Sequence, residues 1–139
     1  MKEAHLSFRV EYKTGVLPTV MGNPDRVEQI LVILMDNAKK YTAGGGSITI
    51  STEYSEETDK VMVSVIDTGQ GIHEYDIDHI FDRFYKADRA RGKKGTGLGL
   101  SIAKELLSYM GETISVSSIY GEGTTFMFTL TRVRGTMWY

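Results

Sequence analysis

Hydrophobic and polar residues recur along this chain in short blocks whose period changes from one block to the next. Residues 7–12 (SFRVEY) alternate with the two-residue period of a strand, and residues 17–21 (LPTVM) make a brief apolar run before Gly22, so both are predicted as strands. The period then lengthens. Val27, Ile30, Leu31, Leu34 and Ala38 recur at helical spacing, with Asn23 placed as the cap, Pro24 at the first helical position, and Asp25 and Glu28 near the end where the helix dipole favours acid. This helix is expected to end near Tyr41. Gly44, Gly45 and Gly46 break the pattern, after which residues 47–54 and 60–66 return to the strand period on either side of Glu56-Glu57-Thr58-Asp59. A turn follows at 68–71. Ile77, Ile80 and Phe81 predict a short helix, residues 82–97 hold no sustained period and are expected to form a loop, and 98–110 is helical again. Two strands, 113–118 and 124–131, flank the turn Gly121-Glu122-Gly123 and close a domain spanning residues 1–131, with 132–139 as a patternless tail.

Six or so strands, mostly in hairpins and without strict βαβ alternation, together with helices that must bury one apolar stripe each, predict an α+β two-layer sandwich with its helices on one sheet face. The length of 139 residues, 41% of them hydrophobic, suits a single domain with a real core. A net charge of −2 gives no overall basic footprint for nucleic acid or an anionic membrane. The absence of cysteine removes disulfides, thiolate catalysis and cysteine-ligated zinc, while His5, His73 and His79 are too scattered to make a metal set. No apolar run approaches the roughly 18 residues needed to cross a bilayer, and the polar amino end is unlike a signal peptide, so the chain is expected to be soluble.

Candidate chemistry lies where residues break their local pattern. In GKKGTGLGLSIAKELL, which begins at Gly92, a cationic loop runs into a helix. Gly95, Gly97 and Gly99 let the backbone approach a ligand, and the unpaired N–H groups opening the helix suit an anion such as polyphosphate. The dinucleotide fingerprint fails because Leu100 occupies the last glycine position; a Walker loop fails because Leu98 follows Gly97 where lysine belongs; the protein-kinase tripeptides H-R-D and D-F-G are missing. Asp67 falls on the same strand face as Val61, Val63 and Val65, which aims a carboxylate at apolar surroundings. Such a group needs donors, either the amides of the turn Thr68-Gly69-Gln70-Gly71, as in an Asx-type cap, or a ligand's exocyclic amine such as that of adenine. Asn37 lies on or beside the apolar face of the first helix, where its amide can bond to backbone or hold Mg²⁺. Lys40 either caps the dipole's negative end or reaches a phosphate. Between Asp82 and Lys94, six cations, Arg83, Lys86, Arg89, Arg91, Lys93 and Lys94, face only two acids, Asp82 and Asp88. This run is either a solvated surface or a lid whose cations close over phosphates.

Taken together, these segments resemble the catalytic, ATP-binding domain of bacterial sensor histidine kinases, within the wider group of gyrase-type and chaperone ATPases. Asp36-Asn37-Ala38-Lys39-Lys40-Tyr41 resembles the N box, Asp67-Thr68-Gly69-Gln70-Gly71-Ile72 the first glycine box, Phe81-Asp82-Arg83-Phe84-Tyr85-Lys86 the F box and Gly95-Thr96-Gly97-Leu98-Gly99-Leu100 the second glycine box, followed by Gly121-Glu122-Gly123-Thr124-Thr125-Phe126. The resemblance implies a mixed, mostly antiparallel sheet backed by three helices, ATP and Mg²⁺ as cofactors, and transfer of the γ-phosphoryl group to a histidine. By the same resemblance, Asp67 reads the adenine amino group, Asn37 holds Mg²⁺, Lys40 and Lys86 contact phosphates, Tyr41 lines the pocket, and Gly95, Gly97 and Gly99 hinge a lid. It further assigns Gly69, Gly71, Ile72, Phe84, Thr96, Leu98, Leu100 and Thr125 to the nucleotide site.

The sequence departs from the family's pattern in two respects. Ile33 stands one turn before Asn37, where the family usually has another Asn and related ATPases a water-activating Glu; isoleucine does neither job, which disfavours hydrolysis and leaves a kinase or a nucleotide-sensing module. Neither His5, His73 nor His79 has the family's acceptor context, so the acceptor is expected on a separate helical dimerisation domain that passes phosphate to a response regulator. With that domain absent, a monomer is expected, in a cytoplasmic setting with a membrane-anchored parent.

Overall fold

The computed structural model describes residues 5–85 and 98–133. In chain order the elements are β1 (Ser7–Tyr12), α1 (Pro24–Tyr41), β2 (Ser47–Ser55), β3 (Lys60–Asp67), α2 (Glu74–Ile77), α3 (Gly99–Tyr109), β4 (Ile114–Ile119) and β5 (Gly123–Thr131). The strands form one mixed sheet in the order β1-β2-β3-β5-β4, in which only β1 and β2 run parallel. Helix α1 is the crossover that a parallel neighbour requires, so one βαβ unit is embedded in an otherwise antiparallel sheet.

Asn23 starts α1: its backbone is extended, and its Oδ1 accepts from the N–H groups of Asp25 at 2.8 Å and Arg26 at 3.4 Å. The helix turns Ile30, Leu34 and Ala38 onto the sheet, where Ile48, Val61, Val63, Val65, Phe126, Phe128 and Leu130 meet them, and α3 adds Ala103 and Leu107. Phe126 and Phe128 are fully buried at the centre, and truncating either to alanine would cost about 3–5 kcal/mol. Both helices lie on this face of the sheet, as the two-layer expectation requires.

The predicted strand at 17–21 does not form. Pro18 lacks the N–H that a ladder needs, and β5 already has β3 and β4 on either side, so only a bridge between Val20 and Arg132 remains, just past the end of β5. The short helix comes earlier than predicted, as one turn over Glu74–Ile77. Beyond the expected domain boundary, Arg132 and Val133 still belong to the packed body, donating backbone N–H groups to the carbonyls of Asp59 at 3.2 Å and Thr19 at 2.8 Å.

At the start of β3, Lys60 reaches Glu112, the residue that leads from α3 toward β4. The Glu112 carboxylate is nearly sealed from solvent and accepts from Lys60 Nζ at 2.9 Å and, at 2.8 Å each, from the Thr129 hydroxyl and from both the hydroxyl and the backbone N–H of Thr131. Burial alone would push this carboxyl up, but the Lys60 ammonium and the threonine donors outweigh it and hold the group below its ordinary value.

Candidate functional site

Asp67 ends β3 on the helix-covered face, opposite Ile48 on one side and Thr124 on the other, and is only 5% exposed. Its Oδ1 accepts the Gly69 N–H at 2.8 Å, and the Thr124 N–H also donates to the carboxylate. Burial raises the affinity of this group for a proton, and the two backbone bonds offset that rise only in part, so its pKa lies above the ordinary aspartate value. The turn that follows is pinned: Thr68 Oγ1 accepts from Ser47 N at 2.9 Å, and Gln70 N donates to the Tyr41 carbonyl at 3.2 Å. Gly69 is required here because a Cβ would overlap the Tyr41 carbonyl oxygen at the end of α1. Gly71 has φ +77° and lies against the Ile119 carbonyl, leaving no space for a side chain either. Beside Gly69, the Thr42 hydroxyl is buried with no hydrogen-bond partner among the described residues. A recessed carboxylate with one oxygen already engaged, an orphan hydroxyl and a turn cleared of side chains together suit a flat ligand that carries an amine.

The opposite end of the site is cationic in character. Helix α3 opens at Gly99 after Leu98, whose own side chain does not cap it, and a helix start of this kind suits an anion. This end is held against α1, since the Cβ direction of Gly99 points at Ile33 Cγ2, 3.4 Å away. Asn37 lies one turn beyond Ile33 on the same flank of α1, half-buried, and its side chain has no hydrogen-bond partner among the described residues. Lys40 is exposed on that flank with its ammonium 5.8 Å from the Tyr41 ring centroid. The last turns of α1 thus run from the α3 amides to the Asp67 turn, which is the order of triphosphate and base along a nucleotide.

The family model described as "Histidine kinase-, DNA gyrase B-, and HSP90-like ATPase" matches residues 22–134, which contain all of these groups. The chain belongs to that ATPase family. It is 46% identical over 131 residues to the sensor histidine kinase WalK of Bacillus subtilis, an alignment that covers 93% of this chain and 21% of WalK. It is also 41% identical over 123 residues to the adaptive-response sensory kinase SasA of Synechococcus elongatus, covering 88% of this chain and 32% of SasA. The chain therefore spans between a fifth and a third of these relatives. Among solved structures, the nucleotide-free catalytic domain of histidine kinase ThkA superposes with a TM-score of 0.77 at 31% identity, covering 93% of this chain and 82% of that one. Full-length ShkA in complex with AMPPNP superposes with a TM-score of 0.80 at 28% identity, covering 94% and 27%.

In this ATPase-family domain, Gly69 beside Asp67 meets the Tyr41 carbonyl and Gly99 after Leu98 meets Ile33, and Asn37 and Lys40 lie between these two contacts along α1. Ile72 and Leu100 are partly buried and pack on the core, with the Ile72 N–H donating to Ser118 Oγ at 2.8 Å. Thr125 is not brought in. It pairs with Ile66 and Ser117 and so turns to the other face of the sheet, whereas Thr124, buried and paired with Asp67, takes the position expected for it. Phe84 is 66% exposed with φ +67° and is turned to solvent. Lys86, Gly95, Thr96 and Gly97 lie outside the described residues. Thr42 and Thr124 were missed because no periodicity marks a single buried hydroxyl or the face on which a strand begins.

Among the described residues no three His, Cys, Asp or Glu side chains cluster, so these residues form no carboxylate or imidazole cage for Mg²⁺. Asn37 offers a neutral oxygen with no competing bond, which fits a cation that keeps most of its shell as waters and substrate phosphates. Ile33 offers nothing to it. No helix among the described residues is long and apolar enough to cross a membrane.

Proposed function

We propose that this domain binds ATP with Mg²⁺ and donates the γ-phosphoryl group to a histidine on a separate helical dimerisation domain, from which it passes to an aspartate of a response regulator. In this reaction an imidazole nitrogen forms a bond to the γ-phosphorus, the bond to the β–γ bridging oxygen breaks, and ADP leaves. The observation that carries the reading is the buried Asp67 carboxylate beside a turn cleared by Gly69 and Gly71, set at one end of a flank of α1 whose other end meets the first turn of α3. Asp67 accepts the adenine amine, Tyr41 borders the base, and Lys40, Lys86 and the α3 amides hold phosphate oxygens, so that catalysis consists of positioning and charge neutralisation. Asn37 would hold Mg²⁺, which supplies further neutralisation of the triphosphate. Ile33 places no carboxylate where a hydrolytic water would need a base, which favours transfer over hydrolysis. The parent protein is proposed to be membrane-anchored with this domain on the cytoplasmic side.

Calorimetric titration with AMPPNP, in Mg²⁺ and again in EDTA, tests the pocket, and incubation with ATP and a helical phosphoacceptor domain tests the transfer. Mg²⁺-enhanced binding together with an acid-labile phosphohistidine is expected. Binding indifferent to Mg²⁺ and without transfer would instead support the nucleotide-sensing reading that Ile33 leaves open, and no binding would refute both.

A further inference from the structure

Ser118 stands half-buried near the end of β4, paired across the sheet with Thr124, and its hydroxyl lies where the two segments that hold Asp67 meet. Its Oγ accepts the Ile72 N–H at 2.8 Å, donates to the Gly123 carbonyl at 2.8 Å and lies 3.0 Å from the Thr124 hydroxyl. A serine hydroxyl has one proton and two lone pairs, so these three contacts exhaust it. The direction of the last bond follows. Ser118 commits its single proton to a carbonyl that can only accept, so Thr124 is the donor between the two hydroxyls.

The two segments joined here build the base end of the site. Ile72 closes the turn that begins after Asp67, and the Gly121 N–H ties that turn to the β4–β5 hairpin a second time by donating to the Gln70 carbonyl at 2.6 Å. Thr124, the second residue of β5, is buried directly opposite Asp67 with its N–H on the Asp67 carboxylate. A cross-strand pair on one face brings its side chains within about 5 Å, so the Thr124 hydroxyl borders the same recess as the carboxylate. With its proton directed at Ser118, that hydroxyl keeps only lone pairs for other partners.

We propose that Ser118 is a positioning residue for base selection: by taking the Thr124 proton and bracing Ile72, it makes the Asp67 recess an edge of acceptors only. The proposal rests on the reading of Asp67 as the partner of the adenine amine. An exocyclic amine offers protons to such an edge, whereas a 6-oxo purine sets its carbonyl oxygen against a carboxylate and a lone pair. Released from Ser118, the Thr124 hydroxyl can rotate and donate to that carbonyl, so Ser118 acts through Thr124 without touching the ligand.

Calorimetric titration of the full chain with ADP and with inosine diphosphate, which differ at the 6 position and its neighbouring ring nitrogen, tests the assignment. The wild type is expected to prefer ADP. Ser118→Ala is expected to narrow that preference about tenfold, whereas a general loosening of the site would weaken both ligands alike and leave the ratio unchanged. Ser118→Cys, whose thiol is a weak donor and a weak acceptor, is expected to shift the ratio in the same direction and carries the test if the alanine variant does not fold. In a Thr124→Val background, Ser118→Ala is expected to leave the ratio where Thr124→Val alone puts it, because the hydroxyl through which Ser118 acts is gone. A wild-type ratio in the folded Ser118 variants, or the same effect of Ser118→Ala with and without the Thr124 hydroxyl, would overturn the proposal while leaving the nucleotide reading intact. A wild type that binds neither diphosphate, or both equally, would instead refute the reading of Asp67 and this proposal with it.

Discussion

Replacing Asp67 with asparagine changes one atom at the most constrained point of the site, and its cost can be worked from the bonds there. The carboxylate serves the Gly69 and Thr124 N–H groups and keeps acceptor capacity for a ligand amine. Asparagine offers a single acceptor oxygen, and its amide nitrogen would confront either a backbone donor or the ligand's. If the backbone loses, a buried N–H goes unpaired at about 1–3 kcal/mol, which for a domain of this size lowers Tm by on the order of 5–10 °C. If the ligand loses, a hydrogen bond to a charged acceptor worth about 1.5–3 kcal/mol disappears, a fall in affinity of roughly 10-fold to 150-fold. Titrating AMPPNP calorimetrically into both proteins, with thermal melts alongside, measures the two costs. The pH dependence gives a second readout. The pKa of Asp67 is raised by burial, so the ionised form that accepts the amine is lost as pH falls through a value above the ordinary aspartate range. Wild-type affinity should therefore decline on acidification earlier than a solvent-exposed aspartate would dictate, and the asparagine variant should lack that decline. In the unliganded domain the sign is opposite: ionised Asp67 costs folding stability above its folded pKa, and the cost is relieved as pH drops through it. Equal affinities for the two proteins, or superimposable pH profiles, would refute the assignment of Asp67 as the base reader.

The other predictions concern the metal donor, the turn and the Glu112 clamp. Asn37→Ala should abolish the enhancement of AMPPNP binding by Mg²⁺ while leaving the affinity in EDTA close to that of wild type; calorimetry in the two buffers distinguishes these. Gly71→Ala forces a Cβ into the Ile119 carbonyl at a positive φ, and should cost at least about 1–3 kcal/mol in urea unfolding and weaken nucleotide binding with it. Lys60→Met strands the Glu112 carboxylate with neutral donors only, a loss of about 2–4 kcal/mol at pH 7. In the wild type, the depressed Glu112 pKa contributes stability that is fully present above the ordinary glutamate value and is lost as pH falls through the lower folded one, so the gap in urea midpoint between the two proteins should hold from pH 7 down to the ordinary glutamate range and close only on further acidification.

Much of this architecture was legible because local and global signals agree. Asn23, Pro24 and the apolar recurrence from Val27 to Ala38 mark α1 independently of its surroundings, and the valines of β3 announce both a strand and the face on which Asp67 would stand. What escaped depends on pairing between distant segments. The run at 17–21 has a strand's composition but no free neighbour, and the parallel alignment of β1 requires knowing that α1 returns the chain beside it. The exchange of Thr125 for Thr124 is an error of one residue in parity, which only the register against β3 resolves. Lys60 and Glu112 are 52 positions apart, and nothing in either local sequence marks them as partners.

Strand β3 joins two of these features: Lys60 anchors one of its ends to the Glu112 clamp, and Asp67 occupies the other. Flanked by β2 and β5 and covered by α1, it should be among the last segments to exchange its amide hydrogens. On the proposed reading of Asp67, base recognition is mounted on a central, well-packed strand and pays little ordering entropy on binding. On that proposal, altering which base the domain accepts would require rebuilding the sheet from within, whereas its handling of phosphates could drift through residues at helix ends without disturbing the fold.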